Sequence, residues 1–324
     1  MPPPPSPQVH YYTRVANANA TIADILNDLN LDEAARDVEL LVNGLVNSDQ
    51  TITGSQSSRV RITEAGSVSG GGKSGVSNTF AAAIWSAEVA FKFAKAGATG
   101  VNFHWGNAGL FQFPDAEPAY IGVSQKFKDN DPNKPYPVVR APWYGYVLFS
   151  RALGNNGQAI ALNLPDPKQW GPFGPDCMNA VNIYPFLLPG TSEISVTMIN
   201  KADNLDCQVS IVVNGKLPDG TVTRLLPGKA GMASTSGITW GGATYEGSQN
   251  GRMRGNPRSE LAHGIFEDPE VGNWTTSYFV NVPASSAALL LVPTELGAAE
   301  ESKPAEPTEE EQEQADYEKQ QTAR

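Results

Sequence analysis

The chain has 324 residues and a net charge of -11, and 40% of its residues are hydrophobic. This length allows two domains of ordinary size, each with an apolar core. No run approaches the ~18 apolar residues that a membrane-spanning helix needs. With three histidines and no basic stripe, the sequence also lacks the charge pattern of nucleic-acid-binding proteins.

Most of the negative charge lies at the C-terminal end. Residues 294–324 contain nine Glu and one Asp against two Lys and one Arg, a net charge of -7, so the other residues carry -4. A segment this charged and this poor in apolar residues predicts an acidic disordered tail over 294–324. Residues 1–9 are proline-rich, show no signal peptide, and are predicted to be a disordered N-terminus.

The first half of the chain alternates β-rich runs with helical patterns. Predicted strands cover residues 8–15, 58–64 and 99–106, and predicted helices cover 21–29, 31–49, 77–97 and 141–154. An irregular stretch over 107–140 precedes the last helix. Short strands that alternate with long helices indicate parallel βα units, in either a doubly wound sheet or a (β/α)8 barrel.

Past Gly154, short β-rich runs are separated by Gly, Pro, Asn and Asp clusters, which predicts an antiparallel β-sandwich. Cys177 and Cys207 lie in this region, and their spacing permits either one disulfide or two free thiols. The tripeptides that begin at Asn19 and Asn273 are N-glycosylation acceptors only in a secreted protein. They favour secretion without establishing it.

Polar and aromatic residues stand where the predicted strands end, the position of functional groups in βα barrels. They are His10, Tyr11, Tyr12, Glu64, His104 and Trp105. Glu64 precedes a loop of Gly and Ser, and an unpaired buried carboxylate costs several kcal/mol. Glu64 is therefore either a charge that faces water or a functional acid. A carboxylate beside aromatic rings and exposed amides is what a retaining glycosidase uses to attack an anomeric carbon.

Five segments, in this order, give the chain a resemblance to glycoside hydrolase family 79, which contains heparanase and β-glucuronidases, over about residues 8–293. The segments are HYY at 10–12, ITEAGSVSGGG at 62–72, SNTFAAAIWSAEVAFKFAKAGATGVNFH at 77–104, WYGYVLFSRALG at 143–154 and VNVPASSAALLLV at 280–292. The resemblance implies an α/β plus all-β chain. Residues 10–154 would form βα units 6–8 of a (β/α)8 TIM barrel, and residues 155–293 a C-terminal β-sandwich.

The same resemblance assigns roles to individual residues. Glu64 would be the nucleophile and Tyr11 would orient it by a hydrogen bond. The amides of Gly70 and Gly71 would bind the carboxylate of a uronic acid. The remaining predicted substrate contacts are His10, His104 and Trp105. No metal and no cofactor are expected.

The family's acid/base is a second Glu, which follows an Asn at the end of the fourth barrel strand, and this chain resembles the family only from the sixth. Asp115, Glu117 and Glu88 do not match that position. We therefore expect the isolated chain to be inactive and to need a missing N-terminal barrel segment as its partner. The resemblance also implies a secreted enzyme that acts on glucuronic-acid-containing glycans. The alternative is a non-catalytic carbohydrate-binding or scaffold protein.

Two departures from the family pattern concern the site. Ala65 and Gly66 replace polar residues that many members have beside the nucleophile. Leu110 and Phe111 occupy the place where the family often has a tyrosine that holds the uronate. The first difference removes hydrogen bonds expected beside the nucleophile, and the second weakens the prediction of uronate specificity.

Overall fold

A parallel three-stranded sheet covered by helices forms the N-terminal part of the fold. The computed structural model describes residues 8–14, 19–48, 60–103, 123–127, 135–163, 174–248, 250–268 and 272–294. The strands are β1 (Gln8–Arg14), β2 (Arg61–Val68) and β3 (Val101–Phe103), adjacent in the order β1-β2-β3 and parallel. The helices are α1 (Ile22–Ile25), α2 (Asp28–Ser48), α3 (Phe80–Lys95) and α4 (Ala141–Leu153). The predicted order of strands and helices is therefore confirmed.

Helix α3 is the centre of this part of the molecule. Its apolar residues are buried on nearly every side, as expected of a helix between other layers. The helix stops before Gly97, whose φ of +91° suits glycine. Helix α4 runs parallel to α3. Ser86 Oγ, in the second turn of α3, donates to Pro142 O in the first turn of α4 at 3.0 Å, and Phe91 meets Phe149 farther along both helices.

The two helices approach most closely at Gly145. A Cβ atom there would lie 2.1 Å from Ala83 O and 2.2 Å from Ser86 Oγ. Only glycine allows this contact, so α3 and α4 form one tightly packed layer.

Part of the stretch predicted to be irregular is a β-hairpin. Strands β4 (Val123–Phe127) and β5 (Pro135–Val139) pair antiparallel within residues 107–140. The prediction was wrong here because three prolines within 132–137 suggested a loop. The β5 prolines do not prevent pairing, since a strand with a single partner needs few of its N–H groups.

The C-terminal part contains two antiparallel sheets. The larger has the order β11-β10-β15-β8-β7-β6, with β12 also paired to β10, and the smaller has the order β13-β14-β9. The strands are β6 (Gln158–Ala159), β7 (Val181–Leu188), β8 (Glu193–Asn200), β9 (Cys207–Asn214), β10 (Gly220–Leu226), β11 (Thr239–Trp240), β12 (Glu260–Ala262), β13 (Ile265–Glu267), β14 (Thr275–Val282) and β15 (Ser286–Pro293). A short helix, α5 (Gly174–Ala180), precedes β7 and was not predicted. The predicted antiparallel β-structure is confirmed.

Each face of the larger sheet contributes to a different core. Met198 and Leu290 point towards Tyr278 of the smaller sheet and form the core between the sheets. On the other face, Tyr184 stacks on Phe91 of α3 with ring centroids 4.8 Å apart. The helical layer and the larger sheet therefore share one core, and the two sheets share a second.

A buried ionic network also joins these layers. Glu88 of α3 is fully buried, and its carboxylate accepts hydrogen bonds from Asn182 Nδ2 at 2.5 Å, Tyr184 Oη at 3.1 Å and Lys201 Nζ at 3.2 Å. Lys201 Nζ also lies 2.6 Å from an oxygen of Asp28. Burial first, and then the neighbouring Glu88 charge, raise the pKa of the Tyr184 hydroxyl well above its usual value. Tyr184 thus remains a proton donor to Glu88.

Cys177 of α5 and Cys207 of β9 form a disulfide with Cα atoms 5.6 Å apart. The sequence had left open whether they pair.

The ends of the chain modify two predictions. Strand β1 begins at Gln8, so residues 8 and 9 belong to the sheet and not to the predicted disordered N-terminus. The predicted acidic tail lies outside the described residues beyond Thr294. Among the described helices, none combines the length and apolar character needed to cross a membrane.

Candidate active site

A β-bulge in β2 determines which way Glu64 points. Val9 pairs with Ile62 and the next residue of β1, His10, pairs with Glu64, so Thr63 is an extra residue. Ile62 and Ala65 are three positions apart and would face opposite sides of a regular strand. Because of the extra residue, both are buried in the core, with exposed fractions of 0% and 1%. Glu64 points to the other face, away from the helices.

Glu64 is held by side chains of the neighbouring strand. The Tyr12 hydroxyl donates a hydrogen bond to Glu64 Oε1, and His10 Nδ1 lies 3.8 Å from Oε2. The Glu64 side chain is 31% exposed, so a solute can reach it. A hydroxyl that donates to a carboxylate favours its charged form and fixes its orientation. A carboxylate that is charged, oriented and accessible can act as a nucleophile or a base.

Gly66 makes room for this arrangement. A Cβ atom at Gly66 would lie 2.6 Å from Cε1 of Tyr12, so the tyrosine ring rests directly on the backbone of β2. Gly66 is two residues beyond Glu64 and shares its face. The loss of a polar side chain here, compared with the family pattern, therefore has a steric reason in this chain.

Tyr11 does not contact Glu64 as predicted. Its hydroxyl accepts a hydrogen bond from Thr13 Oγ1 at 3.1 Å, and its ring meets Phe93 of α3 edge-on at 5.2 Å. Burial raises the pKa of Tyr11, an effect that the Thr13 hydrogen bond partly offsets. The reason is strand alternation, since neighbouring residues face opposite sides and only His10 and Tyr12 share a face with Glu64. This alternation was available in the HYY tripeptide.

The strand end was also placed too early. Strand β2 continues from Glu64 to Val68, and Ala65, Gly66 and Ser67 are buried residues of the strand and not the start of a loop. Glu64 therefore lies within the strand, at the bulge.

The glycine loop begins directly after β2. Gly70, Gly71 and Gly72 have φ of +72°, +99° and +75°, values that other residues rarely adopt. A Cβ atom at Gly71 would have nothing within 4 Å. The loop is fixed from within, because Ser77 Oγ accepts hydrogen bonds from Ser67 Oγ at 2.8 Å and from the Lys73 N–H at 2.9 Å. It offers an open stretch of backbone on a rigid frame.

The other acidic and aromatic side chains considered for this site lie either outside the described residues or elsewhere in the fold. His104, Trp105, Asp115 and Glu117 lie outside the described residues. Glu88 belongs to the buried network, where Lys201 neutralises it. No group of His, Cys, Asp or Glu side chains within the described ranges could hold a metal ion.

The chain matches no protein-family profile and no curated protein. Solved structures do resemble it. The GH51 arabinofuranosidase from Xanthomonas axonopodis pv. citri matches with a TM-score of 0.51 and 14% identity. The α-L-arabinofuranosidase from Thermotoga maritima, in an arabinose complex, and the GH51 α-L-arabinofuranosidase from Thermotoga petrophila RKU-1 match with TM-scores of 0.51 at 10% and 11% identity.

Each of the three matches covers 88% of this chain and 52% of the other chain. The chain thus spans about half the length of these arabinofuranosidases. At such low identity the likeness concerns the fold alone, and it does not single out family 79. The chain has a glycoside-hydrolase-like fold over the part that it spans.

Proposed function

We propose that this chain is the C-terminal portion of a retaining glycoside hydrolase of the β-glucuronidase and heparanase type, with Glu64 as its nucleophile. The observation that carries the proposal is the Glu64 carboxylate, held by the Tyr12 hydroxyl on the face of a parallel sheet that points away from its helices. In this proposal β1, β2 and β3 are the last three strands of a (β/α)8 barrel, and that face is the barrel interior.

In the proposed reaction, an oxygen of Glu64 attacks the anomeric carbon of the sugar. A covalent glycosyl ester forms, the bond to the leaving oxygen breaks, and a second carboxylic acid protonates that oxygen. Water then cleaves the ester with the same group acting as base. The hydrogen bond from Tyr12 holds the Glu64 carboxylate in place during the first step.

The second acid must lie about 5–5.5 Å from the nucleophile in a retaining enzyme. Among the described residues, Glu64 is the carboxylate on the face of the parallel sheet that carries His10 and Tyr12. Part of each arabinofuranosidase chain has no counterpart in this chain, which supports the proposal that a further barrel segment supplies this second acid. We propose that the isolated chain is inactive, because losing the general acid removes a contribution of about 10²–10⁴-fold.

The proposed substrate is a glycan that contains glucuronic acid. The glycine loop supports this choice, since backbone amides that no side chain covers can bind an anion such as a uronate carboxylate. Gly70 and Gly71 would supply these amides, and His10, His104 and Trp105 would contact the sugar.

We also propose that the protein is extracellular or in the secretory pathway. The Cys177–Cys207 disulfide supports this, since disulfides persist in oxidising compartments. Asn19 and Asn273 are both exposed, as acceptors of N-linked glycans must be.

The test is to join the chain to an upstream barrel segment that carries an Asn-Glu strand end and to measure hydrolysis of an aryl β-glucuronide. We expect retaining activity that Glu64→Gln abolishes while the fold persists. Glu39→Gln, at an exposed position of α2, is the matched control and should leave the rate unchanged. A covalent uronic-acid probe should label Glu64.

Labelling of another residue, or full turnover by the Gln variant, would disprove the role of Glu64. Binding of glycans by the completed protein without any turnover would instead favour the non-catalytic alternative.

A further inference from the structure

Three arginines that are close in sequence in the C-terminal part form no ion pair with the described acidic residues. Arg252, Arg254 and Arg258 lie within seven residues and all three are exposed. In the described part of the chain none of them forms an ion pair, whereas Arg14 pairs with Asp24 and Arg224 with Glu260. Arg254 Nη1 does donate a hydrogen bond to the main-chain oxygen of Glu246 at 3.2 Å. We call residues 252–258 the arginine segment.

The arginine segment has a fixed backbone. Thr244 and Arg254 exchange two main-chain hydrogen bonds of 3.0 and 2.7 Å, and the Arg258 N–H donates to Gly241 O at 2.9 Å. Met253, between two of the arginines, packs against the core. A ligand would therefore meet side chains on an ordered loop, which lowers the entropy cost of binding.

The segment lies at the same end of the molecule as the glycine loop. Tyr144, in the first turn of α4, contacts Thr244 Oγ1 at 3.0 Å and accepts a hydrogen bond from the Tyr245 N–H at 2.7 Å. Helices α3 and α4 run parallel, so their first turns are neighbours. Because α3 begins where the glycine loop ends, the loop and the arginine segment share one end.

We propose that the arginine segment is a binding site for an anionic polysaccharide that carries carboxylate groups. Guanidinium groups bind carboxylates through two parallel hydrogen bonds, and Arg is always charged. A polyuronate presents such groups at regular intervals and could extend from this segment towards Glu64. The choice of a glycan as the ligand rests on the proposed function. The observation that these arginines form no ion pair among the described residues is independent of that proposal.

The experiment measures binding of fluorescent polygalacturonate oligomers to the full chain by polarisation. The Arg252→Gln, Arg254→Gln, Arg258→Gln triple variant should bind about tenfold more weakly, or about 1.4 kcal/mol. The control variant, Arg36→Gln, Lys95→Gln, Arg151→Gln, changes the net charge equally at exposed helical positions and should bind as the native chain does. Methyl-esterified oligomers, which lack the carboxylate charge, should bind neither the native chain nor the control variant. Added salt should weaken the binding of polygalacturonate to the native chain.

Three outcomes would overturn the proposal: no binding of polygalacturonate by the native chain, an equal loss in both triple variants, or tighter binding of single-stranded DNA that depends on the same arginines. Binding and hydrolysis are measured separately. Arginine-dependent binding in a completed protein without hydrolysis would refute the proposed catalysis alone, and hydrolysis without such binding would refute this site alone.

Discussion

The two adjacent tyrosines of β1 have different surroundings, which allows their roles to be separated. Tyr12 donates to Glu64, whereas Tyr11 is turned towards Phe93 and bonded by Thr13. Only the first contact touches a group that would react with substrate.

We expect Tyr12→Phe to lower kcat of the completed protein by about 10–100-fold, because a hydrogen bond to a charged group contributes about 1.5–3 kcal/mol. Tyr11→Phe removes the same atom from a helix-facing ring and should change kcat less than about threefold, with a loss of stability of about 1 kcal/mol. Steady-state kinetics and urea unfolding of both variants make the comparison. Equal losses of kcat would contradict the assignment of Tyr12.

At the residue scale, sequence patterns identified Glu64, the glycine loop and the HYY tripeptide as one candidate site. Sequence patterns could not predict the bulge, because it follows from the burial of both Ile62 and Ala65 in the core, which is a tertiary contact. The arginine segment was overlooked for a different reason. The negative net charge concealed a local cluster of positive charge.

Between elements, an ionic network joins Glu88 of α3 and Asp28 of α2 through Lys201, the residue that follows β8. Burial alone would raise the pKa of Asp28, but the hydrogen bond and charge of Lys201, with Asn182 and Lys92, lower it. A carboxyl group with a lowered pKa stabilises the fold at neutral pH. That contribution disappears as the pH falls below the ordinary value of about 4 and through the lower folded pKa.

We therefore expect Asp28→Asn to reduce the free energy of unfolding at neutral pH by an amount on the order of 1 kcal/mol, since the side chain is partly exposed. The difference from the native chain should shrink towards zero in acid. Asp37→Asn, an exposed position on the same helix, is the control and should have little effect. Urea unfolding across this pH range makes the measurement, and a difference that does not vary with pH would contradict the prediction.

Helical periodicity predicted α3 and α4 closely, because their apolar spacing reflects burial directly. The partners of Glu88 could not be predicted, since Asn182 and Lys201 are 94 and 113 residues away in the sequence. The β4–β5 hairpin was missed because proline-rich composition resembles that of a loop.

For the whole molecule, the disulfide ties helix α5, which precedes β7 of the larger sheet, to β9 of the smaller sheet. It closes a separation of 30 residues, which predicts a stabilisation of about 3.6 kcal/mol through the unfolded state. We expect the free energy of unfolding of the Cys177→Ala, Cys207→Ala double variant, measured by urea unfolding, to be lower by this amount. Reductant should destabilise the native chain and leave the variant unchanged. A native chain that is insensitive to reductant throughout unfolding would contradict this.

The change of composition at Gly154 predicted the overall order of parallel βα units and antiparallel sheets. How closely the two parts join could not be predicted. It depends on Gly145 between the helices and on the stacking of Phe91 on Tyr184, which are contacts between distant segments.

The bulge at Thr63 absorbs one extra residue and so leaves Glu64 on the outward face. Deleting Thr63 would place Ile62, Glu64 and Ala65 opposite Val9, His10 and Tyr11 in an unbroken register, with Glu64 still facing outward. A regular strand that kept Thr63 would instead turn Glu64 towards the helices. The direction of the acid thus depends on how the strand accommodates one surplus residue, and not on the chemistry of that residue.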